Sequence, residues 1–285
     1  MKKIGFIDYY LSEWHADNYP KWIDNYAKET GLDYKVTHAY GEIEVSPVDG
    51  LTTDEWCEKL QIKRANSIKE LVDSVDYVVL LAPTNPETHL ALCAETFKYL
   101  NGKSIYVDKT FAPDYKTALE IFKVAKEYNV KFFSTSALRY SPILVDAMKE
   151  KNVITYMGGS NIDEYIIHQV ESIVKFYGVG ATKVKAEQDG DVVKFEVAYE
   201  NGKIAYMNYS RAFGYDAEIE KLDGTKEKVD LSAGCFQGLI NNIVDFFETG
   251  KVDFDNAEIL EVMKIRDASL IAKDNLGQWI EVQKN

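Results

Sequence analysis

At 285 residues, with 46% apolar and 28% charged side chains, the chain can bury one large or two ordinary cores and does not read as disordered. A net charge of −13 argues against nucleic acid and anionic membrane as partners, because both select a basic surface. The three cysteines, Cys57, Cys93 and Cys235, are widely spaced without a C-x-x-C pair, which speaks against a disulfide framework or a zinc site; the expectation is a cytoplasmic protein without a metal.

Lys2 and Lys3 precede an apolar run of only Ile4 to Ile7, too short for a signal peptide or a membrane span, so 3–7 predicts a buried strand. Residues 13–28 predict a helix with Ser12 as its N-cap and Gly31 as its stop. A strand at 34–38 follows, then a loop over 40–53 rich in Gly, Pro, Ser and Asp, and a helix capped by Thr53 that carries Trp56 and Leu60. A short helix at 67–72 leads to the continuous apolar run 77–81, which ends in Ala82-Pro83 as a strand covered on both faces does. A helix at 85–100, a strand at 104–107, an amphipathic helix at 114–128 and a strand at 130–134 complete the alternation. Strands and helices at this spacing imply right-handed βαβ units and a parallel sheet.

After a helix at 141–150 the pattern changes. Val193, Phe195 and Val197 alternate with Lys194, Glu196 and Ala198, and Asn201-Gly202 then signals a hairpin to a partner strand at 203–210. Asp223-Gly224 marks another turn, followed by helices at 236–248 and 257–273 and a strand at 278–282. The expected class is α/β: a Rossmann-type doubly wound parallel sheet over 1–139, then an α+β domain with a mostly antiparallel open sheet over 140–285.

A nucleotide site in a doubly wound domain lies at the carboxyl ends of the parallel strands. Three such ends stand out: Ala82-Pro83, Asp108-Lys109-Thr110 and Ser134-Thr135-Ser136. With their flanks they resemble the glucose-fructose oxidoreductase, inositol dehydrogenase and rhizopine-catabolism family (Gfo/Idh/MocA). Pro83-Thr84-Asn85 with His89 looks like its P-N-x-x-H turn, and Asp108-Lys109-Thr110 stands where it has E-K-P. Arg139-Tyr140-Ser141-Pro142 is similar to R-[FY]-x-P, and Glu164-x-x-x-His168 after Gly158-Gly159 resembles D-x-x-x-H with an acid one methylene longer. The order of these motifs runs through the whole chain.

The resemblance implies an NAD- or NADP-dependent oxidoreductase that moves hydride to or from a sugar, polyol or related hydroxy compound. It makes Lys109 and His168 catalytic, with Glu164 beside them, and places Arg139 and Tyr140 at the substrate. Cofactor contacts would come from Asp8, Tyr9, Tyr10, Leu11, Ser12, Pro83, Thr84, Asn85 and Asp108. Subunits would pair as a homodimer or homotetramer through the open sheet face, where Tyr199, Tyr206 and Tyr209 would suit burial. The chemistry needs a base for the hydroxyl proton, and an i, i+4 pair on a helix lets Glu164 orient the His168 imidazole. Plainer readings stand beside these: Lys109 as a surface lysine, His168 as a core histidine and Arg139 as a salt-bridged boundary residue.

The dinucleotide fingerprint departs from the family. Anchored on Ser12 and His15, the run places Ile7 and Tyr9 where the first two glycines belong, and Gly5 lies inside the strand. Tyr9 and Tyr10 would crowd the pyrophosphate, and Asp8 would set a carboxylate against it. Two charges ~5 Å apart at an effective dielectric of ~20 repel by roughly 3 kcal/mol, about a hundredfold in affinity. Beyond the second strand Glu42 is the nearest acid for a ribose. An alternative therefore stays open: a non-catalytic sugar-binding or assembly protein that kept the scaffold and lost the dinucleotide.

Overall fold

The computed structural model describes residues 1–284 and gathers them into two units. The first is Met1–Ser134 with Ile240–Asp253; the second is Thr135–Leu239 together with the chain from Phe254 onward.

The first unit holds a six-stranded sheet of β1 (Lys2–Asp8), β2 (Tyr34–Gly41), β3 (Lys63–Arg64), β4 (Tyr77–Leu80), β5 (Ser104–Val107) and β6 (Lys131–Phe133), in the order β3-β2-β1-β4-β5-β6. Every pairing is parallel. This is the Rossmann order, with its reversal between β1 and β4. Connecting helices are α1 (Trp14–Thr30), α2 (Thr53–Leu60), α3 (Ile68–Ser74), α4 (His89–Phe97) and α5 (Tyr115–Glu127). Gly5 is dictated by packing: a Cβ there would lie 2.5 Å from Leu71 Cδ2 of α3.

Local chemistry sets the boundaries. Gly31 ends α1 in the left-handed region at φ 73°, as its type favours. Thr52, one residue before the expected cap, closes a reciprocal capping box with Glu55 at the start of α2. The expected long helix at 85–100 is a 3₁₀ turn, Pro86–Thr88, and only then α4. Two-residue β3 has too little sequence to show an alternation.

The second unit contains α6 (Pro142–Ala147), β7 (Asn152–Met157), α7 (Ile162–Tyr177), β8 (Ala181–Asp189), β9 (Val192–Tyr199), β10 (Ile204–Tyr209), β11 (Tyr215–Glu220), β12 (Lys226–Asp230), the start of α8 (Cys235–Thr249), α9 (Asn256–Lys273) and β13 (Trp279–Glu281). Its seven strands run β12-β11-β7-β10-β9-β8-β13, antiparallel except for β7 beside β10. Helices α7 and α9 pack on one face. The other carries cross-strand ion pairs, Lys185 with Glu196 and Lys226 with Glu218.

Tyr199 and Tyr209 correct an expectation. Both are buried on the same side as Phe195 and Met207, Tyr199 stacked on Tyr177 of α7, while Tyr206 alone of the three is exposed. The two-residue period of a strand separates odd from even positions, and Tyr206 alone has the outward parity. No helix among the described residues is long and apolar enough to cross a membrane.

Candidate functional site

In the first unit the carboxyl ends of β1, β4 and β5 converge where a doubly wound sheet places its ligand crevice. Asp8 ends β1 and is 1% exposed. Its Oδ1 accepts the N–H of Tyr9 at 2.7 Å and of Ala82 at 3.0 Å, so the carboxyl staples the end of β1 to the turn after β4. Burial, with the nearby charges of Glu13 and Asp108, pushes this carboxyl well above the usual range despite those two bonds. From the sequence alone, Asp8 is expected to set a full negative charge here against a phosphate. Instead the group is driven toward its neutral form and faces backbone.

The turn itself is packed. Tyr10 is 8% exposed and its hydroxyl lies 3.3 Å from Thr84 Oγ1, bridging the β1 turn to the β4 turn; Leu11 is buried and Tyr9 half-buried. Ser12 does not cap α1, because its hydroxyl donates to Asp49 Oδ2 at 2.7 Å. The cap is Glu13, whose Oε2 accepts the His15 N–H at 2.9 Å and whose Oε1 accepts the Ala16 N–H at 2.5 Å. The same Oε2 meets His15 Nδ1 at 2.9 Å, and His15 Nε2 lies 4.0 Å from Asp108 Oδ2.

At the neighbouring strand ends, Asp108 is fully buried and accepts the Tyr106 hydroxyl at 2.9 Å. Lys109 is half-buried and donates to the Pro83 carbonyl at 3.2 Å, while Pro83 is buried, Thr84 exposed and Asn85 half-buried. His89 is fully buried beneath this turn with Nε2 2.7 Å from the Leu81 carbonyl oxygen, and burial holds its pKa low, favouring the neutral imidazole. Ala82 and Thr110 both sit at positive φ, 60° and 52°. For a β-branched residue that is a strained backbone, and here it falls one residue beyond Lys109. Of these, Glu13 was not singled out from the sequence, although it left a signal as an acid at the mouth of a helix; Ala82 and Thr110 stood there as strand-end residues and His15 as an anchor of the fingerprint.

In the second unit His168 lies on α7, its Nδ1 2.7 Å from Ser136 Oγ and its ring edge-on to Tyr215 at 5.7 Å. Burial pushes the Tyr215 phenol up to about 12. Glu164, one turn earlier on α7, is exposed, whereas the Ser136 hydroxyl lies on the imidazole. Arg139 is 1% exposed: its guanidinium meets Glu171 at 3.0 Å, pairs with Glu258 and lies over the Phe254 ring at 4.2 Å. Glu171 is itself buried, and burial raises its carboxyl although Arg139 opposes the shift. Tyr140 is buried, with its hydroxyl accepting from Thr135 at 3.2 Å. These contacts of Arg139 and Tyr140 lie inside the second unit.

Beyond β2, Tyr40, Glu42, Asn66, Lys69, Glu95 and Tyr99 line a groove of about 410 Å³ in the first unit. Glu42 stands where a Rossmann acid can reach a ribose, and here it accepts the Tyr40 hydroxyl at 3.0 Å. The pyrophosphate position is different. A dinucleotide needs close backbone approach and open N–H groups at the start of α1. Tyr10 blocks the approach and the Glu13 carboxylate holds the N–H groups, so the residues present do not fit that group. Among the described residues no cluster of three or more His, Cys, Asp or Glu groups is placed to hold a metal.

No protein-family model matches the sequence, and no curated protein resembles it in sequence. Solved structures do resemble it over its full length. Myo-inositol 2-dehydrogenase from Lactobacillus plantarum superposes with a TM-score of 0.76 at 16% identity, covering 99% of each chain. Scyllo-inositol dehydrogenase from Lactobacillus casei, with bound NAD(H) and scyllo-inositol, gives 0.73 at 15%, again covering 99% of each chain. GenD2 from gentamicin A biosynthesis, in complex with NAD, gives 0.77 at 14%, covering 100% of this chain and 97% of the other. Inositol dehydrogenases and a protein in complex with NAD are thus among the full-length structural neighbours, and the chain shares their fold.

Proposed function

We propose that this chain takes a sugar, polyol or related hydroxy compound on a dehydrogenase scaffold without a dinucleotide in the usual groove. One observation carries the reading: the carboxylate of Glu13 sits on the His15 and Ala16 N–H groups that a pyrophosphate would need. In the first unit Lys109, and in the second His168, is the group offered to ligand hydroxyls. The ammonium of Lys109 donates to the Pro83 carbonyl, and the His168 imidazole is held through Ser136. The strained Thr110 beside Lys109 supports the assignment, because strain of this kind gathers at functional crevices.

A second reading, hydride transfer with NAD or NADP on the same class of compound, is supported by a lysine two residues beyond β5 and a histidine on α7, together with the NAD(H) bound by the L. casei neighbour. In either reading the exposed face of the second sheet pairs subunits, with Tyr206 and Ile204 in the contact.

Titrating NADH, NADPH and a panel of inositols and sugars against the protein, followed by tryptophan fluorescence and calorimetry, separates the two. The first reading expects saturation by a hydroxylated compound alone. Micromolar saturation by either reduced cofactor overturns it in favour of the second.

A further inference from the structure

We infer that Glu13 is an internal anion standing in for a pyrophosphate, and that Glu13 and Tyr10 together are what shut a dinucleotide out of this fold. The inference rests on the first reading above and adds its cause.

The N–H groups at the start of a helix carry the positive end of the helix dipole and lack partners within the helix. In a Rossmann domain the first helix leaves them open to phosphate. Here Glu13 has the extended backbone of an N-cap, φ −144° and ψ 165°, and curls its side chain back over the first turn. Each carboxylate oxygen takes one N–H, from His15 and from Ala16. The side chain is only 9% exposed, so these charge-assisted bonds are shielded from water. His15 adds its ring nitrogen to the same oxygen.

Three features, two of them set by Glu13, exclude a second anion. The His15 and Ala16 N–H donors are already taken, and a phosphate would meet the Glu13 charge at contact distance. Its approach runs through the Tyr10–Thr84 bridge between the β1 and β4 turns. Asp8 contributes through its two backbone bonds, which fix the turn that holds Tyr10 in place. A dinucleotide could enter only by expelling Glu13, uncapping α1 and swinging Tyr10 aside.

NADH binding tests this directly, read by fluorescence of Trp14, which is exposed and packs edge-on against His15. The proteins are wild type, E13Q and the double variant E13S/Y10A, in which serine keeps a preferred cap while removing the carboxylate. Circular dichroism and melting curves confirm that each is folded. Wild type should show no saturation up to millimolar NADH, and the double variant at least tenfold tighter binding than wild type, with E13Q between them. A folded double variant with no gain overturns the internal-anion inference and leaves the sugar-binding reading standing. Micromolar NADH binding by wild type overturns both. If the double variant does not fold, E13Q decides: no gain on losing the charge overturns the inference, and a gain supports it.

Discussion

Asp8→Asn isolates the energetic cost of the buried carboxyl at the end of β1. Asparagine is isosteric and neutral, and its Oδ1 can still accept the Tyr9 and Ala82 N–H groups. In the wild type, burial first and the Glu13 and Asp108 charges next raise the native pKa of Asp8 well above its unfolded value near ~4. Between those two values the native state keeps a proton that the unfolded chain releases. Stability therefore falls as pH rises through the window, by up to ~1.4 kcal/mol per pH unit for one proton, and levels off above the native pKa. The variant lacks this slope. At roughly 2–4 °C of Tm per kcal/mol, the Tm of D8N minus that of wild type should climb by about 3–6 °C per pH unit from pH ~4 upward and then plateau. Other shifted groups, such as Glu171 and His89, titrate in both proteins and cancel in the difference. Melting curves from pH 4 to 8 supply the measurement. A difference that is flat, or that shrinks as pH rises, would refute the reasoning.

Arg139→Ala should cost about 3–5 kcal/mol in urea unfolding, because Glu171 would be left buried beside no counter-charge; a loss under ~1 kcal/mol would show that the pair is not the strut described. Gly158→Ala puts a Cβ 2.3 Å from the Ser210 carbonyl oxygen and 2.5 Å from that of Phe213, and should cost at least about 1–3 kcal/mol by the same assay. Lys109→Ala should weaken binding of a hydroxylated ligand about tenfold by calorimetry, the scale of one hydrogen bond from a charged donor, with Tm nearly unchanged. Light scattering at tens of micromolar should give twice or four times the chain mass, and a monomer would count against the sheet-face contact.

Much of the architecture was open to reading because particular residues admit few alternatives. The unbroken run at 77–81 needs cover on both faces, which only a parallel sheet between helix layers supplies. Asn201-Gly202 between alternating segments fixed the β9–β10 hairpin, and its register pairs Ala198 with Ile204. The facing of Tyr199 was available in the same alternation, since it shares the parity of Phe195 and Val197. At the site, the missing glycines were visible, but their replacement was not. Which side chain fills the space depends on rotamers and on the Asp49 carboxylate that draws Ser12 away from the helix, leaving Glu13 to cap it. The neutral drift of Asp8 was equally hidden, because it comes from burial that no residue type announces.

The first unit is not finished when the chain leaves it at Ser134. Phe247 of α8 stacks on Tyr77 at 4.6 Å, Phe246 meets Phe133 at 5.0 Å, and Glu248 takes Lys2 at 2.6 Å. A ribosome must therefore release some hundred further residues before the segment that seals this sheet exists. During synthesis the nascent Rossmann half waits with an aromatic flank bare, and a fragment cut at residue 134 should depend on chaperones or clump.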